Sequence, residues 1–347
     1  MIRQYLEIKK QHPDAVLFFR LGDFYEMFFE DAALASRELE ITLTGRDGGA
    51  GERVPMCGVP YHAADGYIAR LIARGYRVAI CEQVEDPATA KGIVRREVTR
   101  VITPGTVTDG QLLEDKANHF LVAVAAGEDS LGLAVTDITT GLFMVAGFAG
   151  DGGEAGLVEE IMRLKPAEII LPASLINGSL FRRIKEASGA PVCGYQDGAF
   201  AAETALAALE GQFGKNALAG GKLADVPAAR GAAGALLAFL RDTQKRELTH
   251  INRLQVYHPG LYMFLDTTTR KNLELVASLR DGSRRGTLLS VLDRTVTAMG
   301  GRLLRAWLLQ PLLDLRRIND RQEAVQEFCD QVFLRRDLRQ DLKNVYD

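Results

Sequence analysis

The sequence has few cysteines and no apolar run long enough to cross a membrane. A membrane span needs about 20 consecutive apolar residues, and the first residues lead directly into a charged segment rather than a signal peptide. We therefore expect a cytoplasmic protein with no membrane partner. Because the cysteines form no Cys-x-x-Cys pair and have no histidine at zinc spacing, we expect reduced, mostly buried thiols. The four cysteines are Cys57, Cys81, Cys193 and Cys329.

The sequence also lacks the loop that binds nucleotide phosphates in many hydrolases. That loop requires Gly-x-x-x-x-Gly-Lys-Ser/Thr. The nearest candidate, Gly220-Gly221-Lys222, is followed by Leu223 and does not have the spacing. We therefore predict that the chain does not hydrolyse ATP, contains no catalytic residues and holds no cofactor or metal.

The net charge of −3 argues at first against binding to nucleic acid. Divided along the chain, the charge is −1 for residues 1–103, −6 for residues 104–250 and +4 for residues 251–347. The middle segment is therefore a poor DNA surface, and the first can bind DNA only through local clusters of charge. Such a weak basic balance predicts that the chain alone binds DNA weakly.

Residues 1–103 alternate strand and helix signals and are predicted to form an α/β domain. Ala15 to Leu21 is typical of a buried strand. Helices are predicted at 1–12, 30–38 and 63–74, because these segments are rich in helix-forming residues or have apolar residues at helical spacing. A glycine-rich stretch at 45–51 predicts a mobile loop.

One short stretch of this domain combines an aromatic side chain with a carboxylate. Gly22 and Asp23 provide a bend after the buried strand. If the chain then stays extended, the side-chain period of two places Phe24 and Glu26 on one face, while Tyr25 points towards the core. An exposed Phe beside an exposed Glu suits an apolar wedge with a hydrogen-bond acceptor, and such wedges kink DNA from the minor groove.

The rest of the chain is predicted to form a linker and two further domains. Residues 104–115 are polar and rich in turn formers, and residues 116–250 show a second α/β pattern followed by an Ala/Gly-rich helical tract. Residues 251–347 have helical periodicity, and Trp307 is predicted to lie in their core. Helices are predicted in that last segment at 267–279, 297–309 and 320–328.

Several blocks of the sequence resemble the MutS family of bacterial mismatch-repair proteins. The blocks occur in the family's order and extend over nearly the whole chain, so together they are far more specific than any one alone. They are Phe24-Tyr25-Glu26, Pro55 to His62, Gly75 to Pro87, Arg100 to Thr106, Leu265 to Glu274 and Leu288 to Thr295.

The resemblance implies a multidomain fold. Residues 1–103 correspond to a mismatch-binding α/β domain, and residues 104–115 to a linker. Residues 116–250 correspond to a ribonuclease-H-like α/β connector. Residues 251–347 correspond to the start of an all-α core or lever domain, which is expected to be truncated.

The resemblance also assigns roles to individual residues. Phe24 is expected to wedge beside a mispaired or unpaired base, and Glu26 to hydrogen-bond the displaced base. Gly22 and Asp23 are expected to form the turn that presents this pair. The candidate contacts to the DNA backbone are Arg46, Arg53 and Met56.

The family's partners follow from the same resemblance. Mismatched duplex DNA is the implied ligand, and the connector is the expected contact for a MutL-type partner. The family works as a homodimer whose ATP and Mg²⁺ sites lie in a C-terminal ATPase domain, which these residues do not include. We expect the chain itself to be a monomer, and the full-length protein to associate with the nucleoid during repair.

Two alternative functions were weighed. One is an interaction scaffold that binds branched DNA or proteins, against which the aromatic-x-acid pair at Phe24 and Glu26 argues. The other is a metal-dependent nuclease built on carboxylates. It is disfavoured because Asp137 borders a Thr-rich hairpin and is expected to bond its backbone, while Glu82 and Asp86 are expected to bond amides around Pro87. The nuclease candidates are Glu82, Glu85, Asp86 and Asp137.

Overall fold

The strands and helices of the chain divide into two units in the computed structural model. The structure describes residues 1–47, 53–85, 92, 94–110, 113–215 and 226–346. The first unit contains Met1–Val107 and Leu237–Thr249, and the second contains Thr108–Leu236 and His250–Asp347. No helix in the described parts of the chain is both long and apolar enough to cross a membrane.

A six-stranded mixed sheet organises the first unit, in the order β3-β4-β2-β1-β5-β6. The central strand β1 pairs antiparallel with β2 and parallel with β5. The three helices predicted for residues 1–103 are all present among the described residues. The strands are β1 (Ala15–Leu21), β2 (Phe24–Phe28), β3 (Thr44–Asp47), β4 (Arg53–Pro60), β5 (Arg77–Gln83) and β6 (Arg96–Ile102), and the helices are α1 (Ile2–Gln11), α2 (Phe29–Leu39) and α3 (Ala64–Ala73).

The apolar residues of β1 are buried on both faces of this sheet. Leu17 and Phe19 join a cluster beneath Tyr5 of α1, and Phe28 at the end of β2 belongs to the same cluster. Val16 and Phe18 point to the opposite face by the side-chain period of two and are also buried. This burial explains why the sequence of β1 is a continuous apolar run rather than an alternating one.

A second six-stranded sheet forms the centre of the second unit, in the order β11-β10-β7-β8-β9-β12. Strands β7, β8 and β9 form an antiparallel meander, and β10 joins the edge of β7 in parallel. The elements to residue 256 are β7 (Leu121–Ala126), β8 (Ser130–Asp137), β9 (Leu142–Ala149), α4 (Gly153–Leu164), β10 (Glu168–Pro172), α5 (Ser179–Ser188), β11 (Val192–Tyr195), α6 (Ala202–Phe213), α7 (Pro227–Gln244) and β12 (Gln255–Val256).

Small residues let α7 approach the second sheet closely. A Cβ atom on Gly132 of β8 would lie 2.1 Å from the carbonyl carbon of Ala228, and one on Gly147 of β9 would lie 2.1 Å from Cγ1 of Val226. A Cβ atom on Gly234 would similarly meet Ala205 of α6 at 2.3 Å. The Ala/Gly-rich tract therefore gives tight helix packing, which accounts for its composition.

The segment after residue 257 is mainly helical. Its helices are α8 (Thr267–Asn272), α9 (Leu288–Leu292), α10 (Ala298–Leu309), α11 (Leu315–Asp330) and α12 (Val332–Asp341). The prediction of an all-α segment from residue 251 is wrong at its start, because β12 pairs in parallel with β9. The core prediction for Trp307 is also wrong. Trp307 is 36% exposed, and the guanidinium carbon of Arg321 lies 3.8 Å from the centroid of its ring.

The helix predicted at 267–279 ends early, at Asn272. Glu274 adopts a left-handed backbone with φ of 45°. Its carbonyl accepts a hydrogen bond from the amide of Leu288, and the carbonyl of Leu275 accepts one from Leu289. These long-range bonds, together with the burial of Leu275, stabilise a turn where local periodicity alone favoured more helix.

A buried carboxylate joins two distant segments of the second unit. The side chain of Asp293 is 2% exposed and accepts hydrogen bonds from Lys116, Arg284 and Thr295. Burial opposes ionisation of this carboxyl, but the bonds from Thr295 and Arg284 outweigh it and hold the pKa of Asp293 below its ordinary range. Asp293 therefore holds the segment around Lys116 against the turn that precedes α10.

Some predictions fall on parts of the chain that the structure does not describe. Residues 48–51 of the glycine-rich loop, Asp86 and Pro87, and the Gly220-Gly221-Lys222 stretch lie outside the described residues. Residues 111–112 of the proposed linker do as well.

Candidate nucleic-acid interface

The turn between β1 and β2 presents Phe24 at the surface. Leu21 pairs with Phe24 across the hairpin, so Gly22 and Asp23 form a two-residue connection. Gly22 has φ of 57°. Two-residue hairpin turns of types I′ and II′ need a positive φ at their first central position, and glycine adopts it without steric cost. Phe24 is 47% exposed, although it stands directly after this turn in the sheet.

Two hydrogen bonds and one cation–π contact hold the turn in place. Nε of Arg20 donates to the carbonyl oxygen of Gly22 at 2.6 Å, and the guanidinium carbon of Arg20 lies 3.7 Å above the ring of Tyr61. The amide of Tyr61 in turn donates to the carbonyl oxygen of Asp23 at 2.9 Å. Neither Arg20 nor Tyr61 was predicted from the sequence. The available signals were the position of Arg20, two residues before Gly22, and the presence of Tyr61 within the Pro55–His62 block.

The alternation along β2 follows the prediction. Tyr25 and Met27 are buried, whereas Phe24 is exposed and Glu26 is half-buried. The hydroxyl of Tyr25 donates to Oε1 of Glu82 on β5. Burial and this bond to Glu82 raise the pKa of Tyr25 well above its ordinary range, so Tyr25 stays a neutral donor.

Glu26 lies beside Phe24 on the same face and forms an ion pair with Arg46 of β3. Oε2 of Glu26 accepts from Nη1 of Arg46 at 2.6 Å. Oε1 of Glu26 has no hydrogen-bond partner among the described residues. Gly58 of β4, paired with Glu26 across the sheet, has no side chain to cover the carboxylate. The arrangement can offer one carboxylate oxygen to a ligand while the other stays fixed.

The other two candidate backbone contacts lie on β4. Arg53 is exposed, and its Nε lies 3.4 Å from the carbonyl oxygen of Gly45. Met56 is half-buried and packs against the cluster that contains Phe28. The structure thus brings Glu26 and Arg46 into direct contact, while Arg53 lies across the backbone of β3 and Met56 contributes to packing.

Three of the candidate nuclease carboxylates lie in the described part of the chain, and each is engaged in structural hydrogen bonds. They are Asp137, Glu82 and Glu85. Asp137 is fully buried and accepts bonds from Asn118, from the amide of His119, and from the amide and hydroxyl of Thr139. The two bonds from Thr139 serve the hairpin turn, as predicted, and the two from Asn118 and His119 hold the segment before β7 to the end of β8.

Glu82 departs from its prediction. It accepts the Tyr25 hydroxyl rather than an amide near Pro87. Glu85 accepts the amide of Arg95 at 3.1 Å. In the described part of the chain, no group of three or more His, Cys, Asp or Glu side chains is placed to hold a metal ion.

Comparison with known proteins shows which family models the chain matches. The family model of MutS domain I matches residues 1–111, that of MutS domain II matches residues 119–252, and that of MutS domain III matches residues 268–347. The first match contains the Phe24 and Glu26 hairpin and the β3–β4 pair. The third contains most of the helical segment.

Curated relatives give the same result over the whole chain. The chain is 63% identical over 347 residues to the DNA mismatch repair protein MutS of Pelotomaculum thermopropionicum. It is 52% identical over 360 residues to the protein of the same name from Desulforamulus reducens, and 53% identical over 348 residues to that from Symbiobacterium thermophilum. Each alignment includes all of this chain and 40% of the relative, so the chain spans about two fifths of their length.

Proposed function

Because the chain belongs to the MutS family and carries the regions matched to domains I, II and III, we propose that its first unit recognises mispaired or unpaired bases in duplex DNA to initiate repair. The observation that carries the proposal is an aromatic side chain, Phe24, that is 47% exposed at a fixed turn beside a carboxylate. A folded domain gains nothing in stability from leaving such a ring in water. A DNA base step offers the ring an apolar surface on which to stack.

The proposed discrimination is energetic. Phe24 inserts beside one base, and the duplex must unstack and kink to receive it, at a cost of a few kcal/mol per step. A mispaired or bulged site is already poorly stacked and kinks more easily, so it is preferred without direct reading of its sequence. Oε1 of Glu26 then accepts a hydrogen bond from the displaced base. A carboxylate near DNA is repelled by phosphate, so this bond favours sites where a base has left the stack.

The fixed turn supports this mechanism. A wedge must not fold back on its own domain when it meets the duplex. Arg20 and Tyr61 hold the carbonyls of Gly22 and Asp23 by hydrogen bonds of 2.6 and 2.9 Å. Buried Tyr25 fixes the next residue of the strand through Glu82. The ring of Phe24 is therefore preorganised, which lowers the entropic cost of insertion.

For the partner, the homodimer and the ATP sites, the support is the chain's membership of the family. We propose that a ribonuclease-H-like connector around the second sheet contacts a MutL-type partner. We also propose that a homodimer with ATP and Mg²⁺ sites in further domains completes the machinery of the whole protein. The residues of this chain would sense the mismatch and would not hydrolyse ATP.

The experiment is fluorescence anisotropy of a labelled duplex, either fully matched or carrying one unpaired thymine, titrated with this chain at low and fixed salt. Base–aromatic stacking is worth about 1–3 kcal/mol by alanine substitution. Phe24→Ala should therefore reduce the preference for the unpaired site by roughly 5- to 150-fold while weak binding to matched duplex persists.

The matched control is Phe264→Ala. Phe264 is also an exposed Phe but lies in the second unit, so its removal should leave the preference for the unpaired site unchanged. If Phe24→Ala retains the wild-type preference, the wedge assignment is wrong. If the wild-type chain binds both duplexes equally, the interaction-scaffold function is favoured instead.

A further inference from the structure

A cavity of about 190 Å³ in the second unit is surrounded by positive side chains. It lies between the end of α4, helix α8 and helix α10, and its apolar floor includes Phe120, Leu164 and Leu309. None of the described residues that line it is an Asp or Glu. The cations that line it are Arg163, Lys165, Arg270, Lys271, Arg302 and Arg305.

Only part of this charge is compensated by neighbouring carboxylates. Arg163 pairs with Glu160 at 2.6 Å, and Arg270 pairs with Glu159 at 3.1 Å. Glu114, which lies outside the cavity lining, also attracts Arg305. Within the described residues, the side chains of Lys165, Lys271 and Arg305 make no hydrogen bond or ion pair.

The crowding of these cations has an electrostatic cost. Burial lowers the pKa of Lys165, and the nearby charges of Arg305, Lys271 and Arg270 lower it further. Burial likewise lowers the pKa of Arg270 and of Arg305. Like charges that converge on one cavity disfavour each other unless an anion lies between them. Such a local conflict in an otherwise well-packed fold is typical of a functional site.

The pairing of convergent cations with an apolar floor narrows the class of ligand. Several uncompensated positive charges favour an anion with at least two negative charges over a single carboxylate. Arg forks and Lys ammonium groups are the usual donors to phosphate oxygens. The space is concave and small, which suits a compact molecule better than the outer surface of a duplex.

We propose that this cavity binds a small phosphate-bearing anion with at least two negative charges. Lys165, Lys271 and Arg305 bind its phosphate oxygens, and the apolar floor contacts the uncharged part of a larger ligand. Arg163 and Arg270 are held by their carboxylate partners and shape the wall. This site is separate from the Phe24 hairpin and does not depend on the function proposed for it.

The test measures binding of inorganic pyrophosphate to this chain by isothermal titration calorimetry and by thermal unfolding, with sodium chloride at the same ionic strength as the reference. We expect saturable binding to one site and a rise in Tm that follows ligand occupancy, because a ligand that binds only the folded state stabilises it. Lys165→Gln combined with Lys271→Gln should weaken binding by about tenfold or more.

The same double variant has a second, independent readout. Without pyrophosphate, its Tm should equal or exceed that of the wild type, because the mutual repulsion in the cavity is reduced. A matched control is Lys185→Gln combined with Lys343→Gln, which makes the same change of charge at exposed positions outside the cavity. That control should keep the wild-type affinity for pyrophosphate.

Three outcomes would overturn the proposal. The first is the absence of saturable pyrophosphate binding to the wild type. The second is equal loss of affinity in both double variants, which would show a general effect of net charge. The third is competition by a short matched DNA duplex that displaces pyrophosphate one for one. That result would make the cavity a contact for the phosphates of nucleic acid rather than for a small molecule.

Discussion

Removal of Arg46 is expected to weaken mismatch preference by releasing Glu26. Nη1 of Arg46 lies 2.6 Å from Oε2 of Glu26, and the two side chains are 43% and 16% exposed. At this separation a water-like dielectric constant gives an attraction of roughly 1.6 kcal/mol. The ordering of two side chains offsets part of it, so the net contribution in the free protein is about 0.2–1 kcal/mol.

The pair should become stronger when DNA covers it. A bound duplex displaces water from the surface around Phe24 and Glu26, and a lower local dielectric strengthens the attraction. Arg46 also fixes Oε2 of Glu26, which leaves Oε1 to accept a hydrogen bond from the displaced base. We therefore expect a coupling of about 1 kcal/mol between the two side chains in mismatch binding, or roughly fivefold in Kd.

The assay is a double-mutant cycle of Arg46→Ala and Glu26→Ala, read by anisotropy on the duplexes with and without one unpaired thymine. Arg46→Lys should restore part of the preference, since it keeps the charge but loses the planar fork. The matched control is Arg53→Ala on the neighbouring strand, because Arg53 contacts the carbonyl of Gly45 rather than Glu26.

Two results would refute the reasoning. If the effects of Arg46→Ala and Glu26→Ala simply add, Arg46 does not act through Glu26. If Arg46→Ala weakens binding to both duplexes equally and lowers the salt dependence, Arg46 is a backbone contact. From the sequence, only that second role was predicted for Arg46.

Three further predictions concern stability and reactivity. Gly22→Ala should lower the free energy of unfolding by about 1 kcal/mol in urea titrations. A Cβ atom at this position meets nothing within 4 Å, so the cost comes from the left-handed backbone, which disfavours Ala. An unchanged free energy of unfolding would contradict the assigned turn. Asp293→Asn should cost about 3 kcal/mol at pH 7, since it removes the buried carboxylate charge that pairs with Lys116 and Arg284. Because the folded-state pKa of Asp293 is lowered, its stabilisation is complete above about pH 4 and declines as the pH falls further, so wild type and variant should converge in acid. Burial raises the pKa of the Cys57 and Cys81 thiols to about 12. A thiol reagent at pH 8 should therefore modify exposed Cys329 first, and Cys57 and Cys81 only on unfolding. Rapid labelling of all three cysteines would contradict the burial of Cys57 and Cys81.

Local patterns predicted much of the first unit. The run at 15–21 was predicted to be a buried strand, and it forms β1 in the structure. Helices predicted at 1–12, 30–38 and 63–74 agree with α1, α2 and α3 to within one residue at each end. These elements are long or strongly periodic, so the burial of one face or of both faces was visible in the order of residue types.

The errors have a common physical cause. The helix predicted at 267–279 stops at Asn272, because the carbonyls of Glu274 and Leu275 bond amides at 288 and 289. Trp307 is 36% exposed, and the group that stacks on its ring is the guanidinium of Arg321. In both cases a partner distant in sequence decided the outcome, and a propensity or an apolar neighbour pattern carries no information about that partner.

The sequence by itself determined the local conformation and the chemistry of the candidate interface. The Gly-Asp bend and the period of two along β2 were enough to place an aromatic ring and a carboxylate together on one face, with Tyr25 on the other. That prediction needed only neighbouring residues, since strand geometry repeats every two positions whatever the rest of the fold.

Only the tertiary structure decided which side chains control that pair. Arg46 reaches Glu26 because β3, β4 and β2 lie side by side, with Arg46 opposite Val54 and Glu26 opposite Gly58. The cations around the cavity likewise come from segments more than a hundred residues apart. Such contacts depend on strand register and helix packing, which are set by the burial of the whole core rather than by any local pattern.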